Sequence, residues 1–248
     1  MRLRNDYREN MDNLFISDGA MGDSIYSLPT VITFGGGCYK FTKYNQYDFL
    51  RTLLLSQPYI LDVYWYDIHN KYLNEYDLRQ YRKITKADPT LHLALCHAKI
   101  FNVKINISDK WLFGIEPKRI DNLDIIVNVS PRYHTDPISI DYKILKDYEN
   151  KILFVGKNSE FKNFYTNYDI KCEHYKCINA LEIAQIIAGC KLFIGNQSLC
   201  FAVAEALKSN RVLEIYNKKP NCTPQSANGH TILNKELIEK YLNQINER

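Results

Sequence analysis

A carboxylate at the start of a predicted helix is the first candidate for chemistry. Residues 18–24 connect a predicted strand at residues 13–17 to a helix that starts at Asp23. Gly19 and Gly22 in this connection allow tight turns and the close approach of a ligand. A carboxylate in that position can take a proton from a substrate hydroxyl. Asp is also a favoured helix N-cap residue, and capping alone would account for Asp23.

A strand–loop–helix unit near residue 195 is the second candidate. An apolar strand at residues 191–194 leads into a polar loop, and a helix follows to about residue 208. The loop residues are Gly195, Asn196, Gln197 and Ser198. Free backbone N–H groups and the positive end of the helix dipole make such a loop a natural phosphate site. Glu205, two turns into the helix, could accept hydrogen bonds from a ribose.

The alternative for this loop is a capped turn in an ordinary βαβ unit. Neither the dinucleotide-binding pattern G-x-G-x-x-G nor the phosphate-loop pattern G-x-x-x-x-G-K-[ST] occurs in the chain. The standard nucleotide-binding motifs are therefore excluded.

The elements that must position these loops alternate between strands and helices. We predict further strands at residues 61–66, 124–129, 151–156 and 211–216, and helices at 47–56, 179–189, 234–246 and from Asp88 towards residue 100. This alternation predicts an α/β fold with parallel sheets covered on both faces. A break near residues 113–122 divides the chain into two Rossmann-like lobes, 1–118 and 119–248. Ligands of such sheets bind outside the carboxyl ends of the strands, so two facing lobes would place both loops in a cleft.

The composition is that of an ordinary globular protein. The 248 residues include 32 Lys and Arg against 28 Asp and Glu, which gives a net charge of +4, and 46% are hydrophobic. The apolar share excludes a disordered or collagen-like chain, and the weak charge does not indicate nucleic-acid binding. No run approaches the roughly 18 apolar residues of a transmembrane segment, and the first residues do not resemble a secretory signal. We therefore expect a cytoplasmic protein.

The cysteines predict reduced thiols and no metal site. Seven cysteines, an odd number, are spread over the whole chain, and several lie in apolar runs where a thiol packs as a small hydrophobic group. Two groups have ligand-like spacing: Cys172 with His174 and Cys177, and His92 with Cys96 and His97. Neither group is completed to four ligands by a second pair.

Two stretches of the chain resemble one family. Residues 19–29, Gly-Ala-Met-Gly-Asp-Ser-Ile-Tyr-Ser-Leu-Pro, look like the N-terminal signature of the ADP-heptose:lipopolysaccharide heptosyltransferases, in which Gly-Asp precedes an apolar turn and Leu-Pro. Residues 181–216 resemble that family's C-terminal segment: a helix, an apolar strand, Gly-Asn-(Asp)-Ser, an Ala-rich helix and a strand. The rest of the chain agrees only in its alternation of strands and helices.

The resemblance implies a GT-B architecture and inverting glycosyl transfer without a metal or other cofactor. A nucleotide-sugar donor would be held mainly by the C-terminal lobe, and a glycan or other hydroxyl acceptor would meet the N-terminal lobe. The Asp of the Gly-Asp motif is the family's proposed general base, and it carries over to Asp23, with Gly22 beside the donor. The donor phosphates would meet residues 195–198 and the loop after strand 124–129, where Ser130 and Arg132 stand. Arg132 could equally be a solvated loop residue.

Departures from the family pattern keep other functions open. The family's Asp-Ser-Gly-x-x-His is replaced by Gln-Ser-Leu-Cys-Phe-Ala at residues 197–202, and Glu205 stands where a small residue is usual. The chain is also short for the family, which implies a trimmed N-terminal lobe. A non-catalytic binding or assembly protein with the same fold is therefore the alternative. A sugar-nucleotide epimerase would need further acid and base residues that the sequence does not identify.

Tyrosine is unusually frequent in the N-terminal lobe. Six of the 19 tyrosines lie between residues 59 and 81: Tyr59, Tyr64, Tyr66, Tyr72, Tyr76 and Tyr81. Stacking on sugar rings or bases would explain them, and so would half-buried packing.

Overall fold

The computed structural model describes residues 12–65, 72–134 and 140–244. Two sheets, parallel throughout, confirm the predicted α/β class. The first sheet contains β1 (Asn13–Ser17), β2 (Gly37–Phe41), β3 (Ile60–Tyr64) and β4 (Asn74–Asp77), in the order β3-β2-β1-β4. The second contains β5 (Ile125–Asn128), β6 (Ile152–Val155), β7 (Glu173–Tyr175), β8 (Leu192–Asn196), β9 (Arg211–Glu214) and β10 (Gly229–His230), in the order β10-β9-β8-β5-β6-β7. Tyr66, residues 1–6 and the last residues of the predicted C-terminal helix lie outside the described residues.

Helices follow most of these strands, because parallel neighbours need a crossover connection. The described α-helices are α1 (Met21–Thr33), α2 (Tyr44–Leu55), α3 (Tyr81–Ala87), α4 (Leu93–Ile100), α5 (Asn158–Tyr168), α6 (Ala180–Gly189), α7 (Leu199–Leu207) and α8 (Lys235–Leu242). Short 3-10 turns lie at Leu78–Gln80, Pro131–Tyr133 and Tyr142–Lys151. Within the described residues, none of the helices combines the length and the apolar character that a bilayer span requires.

The predicted helix start at Asp88 is wrong. The Asp88 carboxylate instead closes a turn by accepting hydrogen bonds from the backbone N–H groups of Thr90 and Leu91, both at 3.1 Å. Helix α4 begins at Leu93, with His92 as its N-cap residue. The strong capping preference of Asp is therefore used in a turn that precedes the helix.

One hydrophobic core extends across both sheets. Helix α1 packs against α4 of its own lobe and against α7 of the other, and α2 packs against α6. The buried side chains of this core include Phe15, Leu50, Trp111 and Phe201. A second core, which includes Val127 and Phe154, covers the opposite face of the second sheet. In the sequence, the strands of the first sheet all precede the predicted boundary at residue 118 and the strands of the second sheet all follow it. The exact position of the boundary stays a prediction.

The segment between the two sheets is hydrogen-bonded to both lobes. The Tyr59 hydroxyl donates to the Trp111 carbonyl at 2.5 Å, which links the segment to the first lobe. The Trp111 N–H donates to the carbonyl of Ala206 in α7 at 3.1 Å, and the Lys118 N–H donates to the carbonyl of Gln185 in α6 at 2.9 Å. This segment therefore fixes the separation of the lobes as well as joining them.

A buried ion-pair cluster lies at the end of α7. The Glu205 carboxylate, which has no exposed surface, accepts hydrogen bonds from Lys208 Nζ and Arg211 Nε, each at 2.5 Å. Lys208 Nζ also donates to the Ile107 carbonyl at 2.6 Å and lies 4.2 Å from the centre of the Trp111 ring. Glu205 therefore holds the connecting segment in place. The prediction that Glu205 accepts hydrogen bonds from a ribose disagrees with this burial.

Replacing Glu205 with Gln should destabilise the fold. The substitution would leave two buried cations without their carboxylate, and breaking a buried ion pair typically costs about 3–5 kcal/mol. Urea unfolding measures this loss of unfolding free energy. Glu239→Gln, at an exposed site on α8, is the control and should stay within about 0.5 kcal/mol of the parent. A Glu205→Gln protein of unchanged stability would contradict the structural role.

Candidate active site

Both sheets reverse their strand order at a single point. In the first sheet the chain runs from β1 to β3 on one side and then places β4 on the other side of β1. In the second sheet it runs from β5 to β7 and then places β8 on the other side of β5. Ligands of open α/β sheets bind at such reversal points, outside the carboxyl ends of the strands. The crevice is therefore expected beyond β1 and β4 in one lobe and beyond β5 and β8 in the other.

Asp23 lies at the first of these points, in the first turn of α1. The N-cap residue of α1 is Ala20, and the Asp23 carboxylate accepts a hydrogen bond from the Ala20 N–H at 2.9 Å. The same oxygen, Oδ2, accepts a hydrogen bond from the Tyr81 hydroxyl at 2.5 Å. Asp23 is not the N-cap itself, but its carboxylate does stabilise the start of the helix.

Burial raises the pKa of the Asp23 carboxyl above its ordinary value. The hydrogen bonds from Tyr81 and Ala20 and the positive charges of Arg82 and Arg132 all lower this pKa, but burial has the larger effect. A carboxylate with a raised pKa is a stronger base than an exposed one. Arg132 belongs to the other lobe, so its effect on this pKa indicates that the two predicted residues lie close enough to interact electrostatically.

Tyr81 is a site residue that the sequence did not identify as one. It follows β4 through the 3-10 turn Leu78–Gln80, so it lies beside β1 at the reversal point. Its ring stacks on the His97 imidazole, with the ring centres 4.4 Å apart. Burial lowers the pKa of His97 to about 3, so this imidazole is neutral at physiological pH. A rigid, uncharged ring therefore supports the hydroxyl that binds Asp23.

Gly22 lies where the lobes approach each other. A Cβ atom at Gly22 would lie 3.5 Å from the Ser198 carbonyl oxygen and 3.6 Å from Ala202 Cβ. The first turn of α1 therefore contacts the first turn of α7 directly. This contact brings Asp23 next to the predicted phosphate loop, and a backbone contact between Gly22 and a donor stays a prediction.

Two residues of the predicted phosphate loop belong to a strand instead. Gly195 and Asn196 end β8 and are buried. A Cβ atom at Gly195 would lie 2.4 Å from the Asn128 carbonyl oxygen, so only glycine permits this approach. The Asn196 amide accepts from the Ser130 N–H at 2.9 Å and donates to the Ser130 carbonyl at 2.6 Å. Asn196 therefore fastens the loop after β5, and its side chain has no exposed surface.

Gln197 and Ser198 form the connection from β8 to α7. The Gln197 amide donates to the Lys219 carbonyl at 2.9 Å and is largely buried. Ser198 is the N-cap residue of α7: its hydroxyl accepts from the Phe201 N–H at 3.3 Å and donates to Asn128 Oδ1 at 2.6 Å. The cap thus uses the Phe201 N–H, and the N–H groups of Leu199 and Cys200 have no partners within the helix, at the carboxyl end of β8.

The loop after β5 lies next to this helix end. Ser130 is buried and its backbone is held by Asn196, whereas Arg132 is exposed with its guanidinium carbon 5.2 Å from the centre of the Tyr133 ring. Arg132 is thus presented from a short 3-10 turn at the carboxyl end of β5. The structure places Arg132 and Asp23 within electrostatic range, and it gives the Ser130 side chain little exposure.

A histidine–glutamate pair next to Arg132 was missed by sequence reasoning. Glu214 ends β9, and its fully buried carboxylate lies 2.8 Å from His134 Nδ1 and accepts from the Tyr142 hydroxyl at 2.8 Å. The His134 side chain is 27% exposed. A carboxylate this deeply buried needs a positive or hydrogen-bonding partner. Glu214 therefore holds a partly exposed imidazole at the carboxyl end of β9, next to the loop that carries Arg132.

Other features lie away from this crevice. Within the described ranges, no group of three or more His, Cys, Asp or Glu side chains could hold a metal ion, and all seven cysteines are free thiols. Two surface depressions of about 490 and 510 Å³ are lined by residues such as Phe161 and Lys171, and His230 and Lys240, respectively. Neither depression is lined by a predicted site residue.

Comparison with known proteins shows similarity in structure without similarity in sequence. No family model matches the chain, and no curated protein matches it. The glycosyl transferase family 9 structure from Veillonella parvula DSM 2008 aligns with a TM-score of 0.63 at 12% identity, covering 98% of this chain and 92% of that one. Escherichia coli heptosyltransferase WaaC with ADP-2-deoxy-2-fluoro heptose aligns with a TM-score of 0.58 at 10% identity, covering 93% and 98%. The iron-containing dodecameric glycosyltransferase TibC from enterotoxigenic E. coli H10407 aligns with a TM-score of 0.56 at 12% identity. This alignment covers 81% of this chain and 57% of that one.

These alignments confirm the predicted GT-B-like fold. The resemblance to heptosyltransferases noted in two sequence stretches extends, in three dimensions, over nearly the whole chain. Sequence identities of 10–12% establish the fold, and the chemistry rests on the side chains of this chain.

Replacing Asp23 with Asn should stabilise the protein at neutral pH. Because the pKa of Asp23 is raised in the folded state, its ionised form destabilises the fold. The contribution of Asp23 to the free energy of unfolding is therefore favourable at low pH, where the carboxyl is protonated, and is lost as the pH rises through that pKa. We expect a rise in Tm of roughly 2–4 °C at pH 7, with a smaller gain at pH 4. Differential scanning calorimetry at the two pH values measures both.

Glu160 provides the matched control for this prediction. It occupies the same third position in α5 and accepts a hydrogen bond from the Lys157 N–H at 2.9 Å. An acidic residue at a helix N-terminus is ordinarily stabilising, so Glu160→Gln should not raise the Tm. A lower Tm for Asp23→Asn at pH 7 would show that the carboxylate serves mainly to stabilise α1.

Proposed function

We propose that the chain is a glycosyltransferase that moves a sugar from a nucleoside-diphosphate donor to an acceptor hydroxyl. One observation carries this proposal: Asp23, a carboxylate of raised pKa, lies at the contact between α1 and the amino end of α7, with Arg132 within electrostatic range. A base from one lobe thus meets a phosphate-binding arrangement from the other, on a GT-B-like fold.

Asp23 is assigned the role of general base. Both of its described hydrogen bonds are made to Oδ2, so Oδ1 is the oxygen that would meet the acceptor hydroxyl. As that hydroxyl attacks the anomeric carbon, its proton passes to Asp23 and the bond to the donor diphosphate breaks on the opposite face of the sugar. This geometry inverts the configuration of the anomeric carbon.

The opposite side of the crevice is assigned to the leaving diphosphate. The first-turn N–H groups of α7 supply hydrogen bonds and a partial positive charge, and Arg132 supplies a full charge. With Nδ1–H bonded to Glu214, His134 would add a further donor from Nε2 as the imidazolium. These groups would stabilise the developing negative charge without a metal, and metal-independent transfer is part of the proposal.

An adenosine diphosphate sugar is the first donor to test. WaaC has been solved with ADP and with ADP-2-deoxy-2-fluoro heptose. The replaced residues at 197–202 leave the sugar itself open, since Gln197 is held by the Lys219 carbonyl and by Asn221. A glycan is the proposed acceptor, and a cytoplasmic location follows from the sequence expectations alone.

The same replacements favour a second function, a non-catalytic binding or assembly protein. The acid, the glycine and the histidine of the family's C-terminal motif are absent at residues 197–202. Such a protein would retain the lobes and the helix contact without turnover. Binding and turnover measurements on the same variants separate the two functions.

Replacing Asp23 with Asn should abolish transfer and leave donor binding intact. Loss of a general base typically lowers the rate by about 10²- to 10⁴-fold. Binding is measured as stabilisation by ADP in a thermal-shift assay, and turnover as release of ADP from ADP-sugars. The control is Asp169→Asn, an exposed carboxylate of the other lobe that pairs with Lys146 at 3.0 Å. Undiminished turnover in Asp23→Asn would refute the assignment, and stabilisation by no nucleoside diphosphate would favour the binding protein.

Replacing His134 with Gln should weaken nucleoside-diphosphate binding. A hydrogen bond to a charged group contributes about 1.5–3 kcal/mol, so we expect a Kd for ADP increased roughly 10-fold or more in calorimetric titration. His230→Gln is the control, because His230 belongs to β10, which pairs with the opposite, amino end of β9. Equal affinities for the two variants would remove His134 from the donor site.

A further inference from the structure

The tyrosine-rich stretch of the first lobe is mostly not an exposed surface. Tyr59 and Tyr81 are buried, and Tyr64, Tyr72 and Tyr76 are partly buried. Packing therefore explains the described members of this group. The exposed aromatic side chains of this lobe are at other positions.

Three aromatic side chains form a cluster at the carboxyl edge of the first sheet, which we call the aromatic platform: Tyr44, Tyr47 and Trp65. Tyr44 is 56% exposed and Trp65 is 43% exposed. Their ring centres are 5.0 Å apart, and the centre of the Tyr47 ring lies 6.0 Å from Tyr44 and 6.4 Å from Trp65. Tyr44 and Tyr47 are three residues apart on α2 and share one face, while Trp65 directly follows β3.

The platform is connected to the loop that carries the proposed base. Lys43, the N-cap residue of α2, donates from Nζ to the Asp18 carbonyl at 3.1 Å. Gln46, in the first turn of α2, donates from its amide to the Gly19 carbonyl. Asp18 and Gly19 lie between β1 and Asp23, so the start of α2 is held against this loop. Since β3 is two strands from β1, the platform lies about 10 Å along the sheet edge from the strand that leads to Asp23.

We propose that the aromatic platform binds a sugar ring of a glycan acceptor, next to the sugar whose hydroxyl meets Asp23. This inference rests on the proposed function, because it assigns the acceptor side of the same site. The C–H face of a pyranose packs on an aromatic ring, and its hydroxyl oxygens need donors at the rim. Lys43 and Arg51 are exposed there, with the Arg51 guanidinium carbon 5.9 Å from the centre of the Tyr47 ring. Both side chains are hydrogen-bond donors only.

The size and shape of the platform favour a sugar over two other occupants. A stable protein interface buries about 800 Å² on each partner, far more than three rings can offer. A nucleobase stacks best on parallel rings, but Tyr44 is inclined by 37° to Tyr47 and by 71° to Trp65. The inclined rings form a corner, which suits the C–H face of one sugar together with the edge of the next.

Glycan binding by the intact chain tests this inference. The probe is an immobilised array of neutral and acidic oligosaccharides, followed by titration with the best-bound oligosaccharide in solution. We expect Tyr44→Ala and Trp65→Ala to weaken that binding roughly 3- to 10-fold, the range of an aromatic contact, and Trp65→Phe to retain most of it. Tyr165→Ala is the matched control, because Tyr165 is 44% exposed on α5 of the other lobe.

Trp65 also provides a direct optical reading. The chain has two tryptophans, and Trp111 is buried, so quenching by acrylamide reports mainly on Trp65. The bound oligosaccharide should protect the parent protein from quenching, and nucleoside diphosphates should not. Three results would each overturn the inference. They are the absence of binding to any oligosaccharide, equal binding by Tyr44→Ala and the parent, and protection of Trp65 by nucleotides instead of sugars.

The outcomes separate this inference from the proposed function. If ADP stabilises the protein and turnover depends on Asp23, but glycan binding is unaffected by Tyr44→Ala, the proposed function is retained and the platform is rejected. Platform-dependent glycan binding without any nucleoside-diphosphate binding would retain the platform and reject the transferase. All variants are measured for folding by their Tm before either comparison.

Discussion

The site depends on one close approach, between the first turns of α1 and α7 at Gly22. A Cβ atom at Gly22 would lie in ordinary van der Waals contact, 3.5 Å from the Ser198 carbonyl oxygen, so a methyl group fits here and a side chain that extends further would meet α7. Parallel sheets place every helix start at the carboxyl edge, so this contact joins the two edges that face each other. The hydrogen bonds from Ser198 to Asn128 and between Asn196 and Ser130 then align the loops of the second lobe with it.

The sequence predicted the elements that are strongly apolar and missed those that depend on pairing. Strands β1, β5, β6 and β8 are apolar runs, and they were found with small errors at their ends. Strand β4 has the sequence Asn-Glu-Tyr-Asp, which has no strand pattern, and it exists because it pairs with β1. Its position creates the reversal point and brings Tyr81 to Asp23. Strand β4, which the sequence did not predict, is therefore the element that places Tyr81 next to the predicted base Asp23.

Residue type alone also failed to identify the polar groups that are satisfied inside the fold. Asp23 was identified from its position at a strand-to-helix junction, and Arg132 through the family resemblance. Glu205 is the charged residue of an otherwise apolar helix, and its carboxylate is bound by Lys208 and Arg211 inside the fold. His134 and Glu214 are 80 residues apart in sequence, so only the strand order of the second sheet brings them together.

The segment that joins the lobes limits how far the lobes can move apart. Its bonds to Tyr59 on one side and to Ala206 and Gln185 on the other span the two lobes, and the α1–α7 contact bridges them at the crevice. A hinge rotation that separates the lobes would have to break these bonds and expose the shared core. These hydrogen bonds and the shared core therefore oppose any opening of the crevice that would separate the lobes.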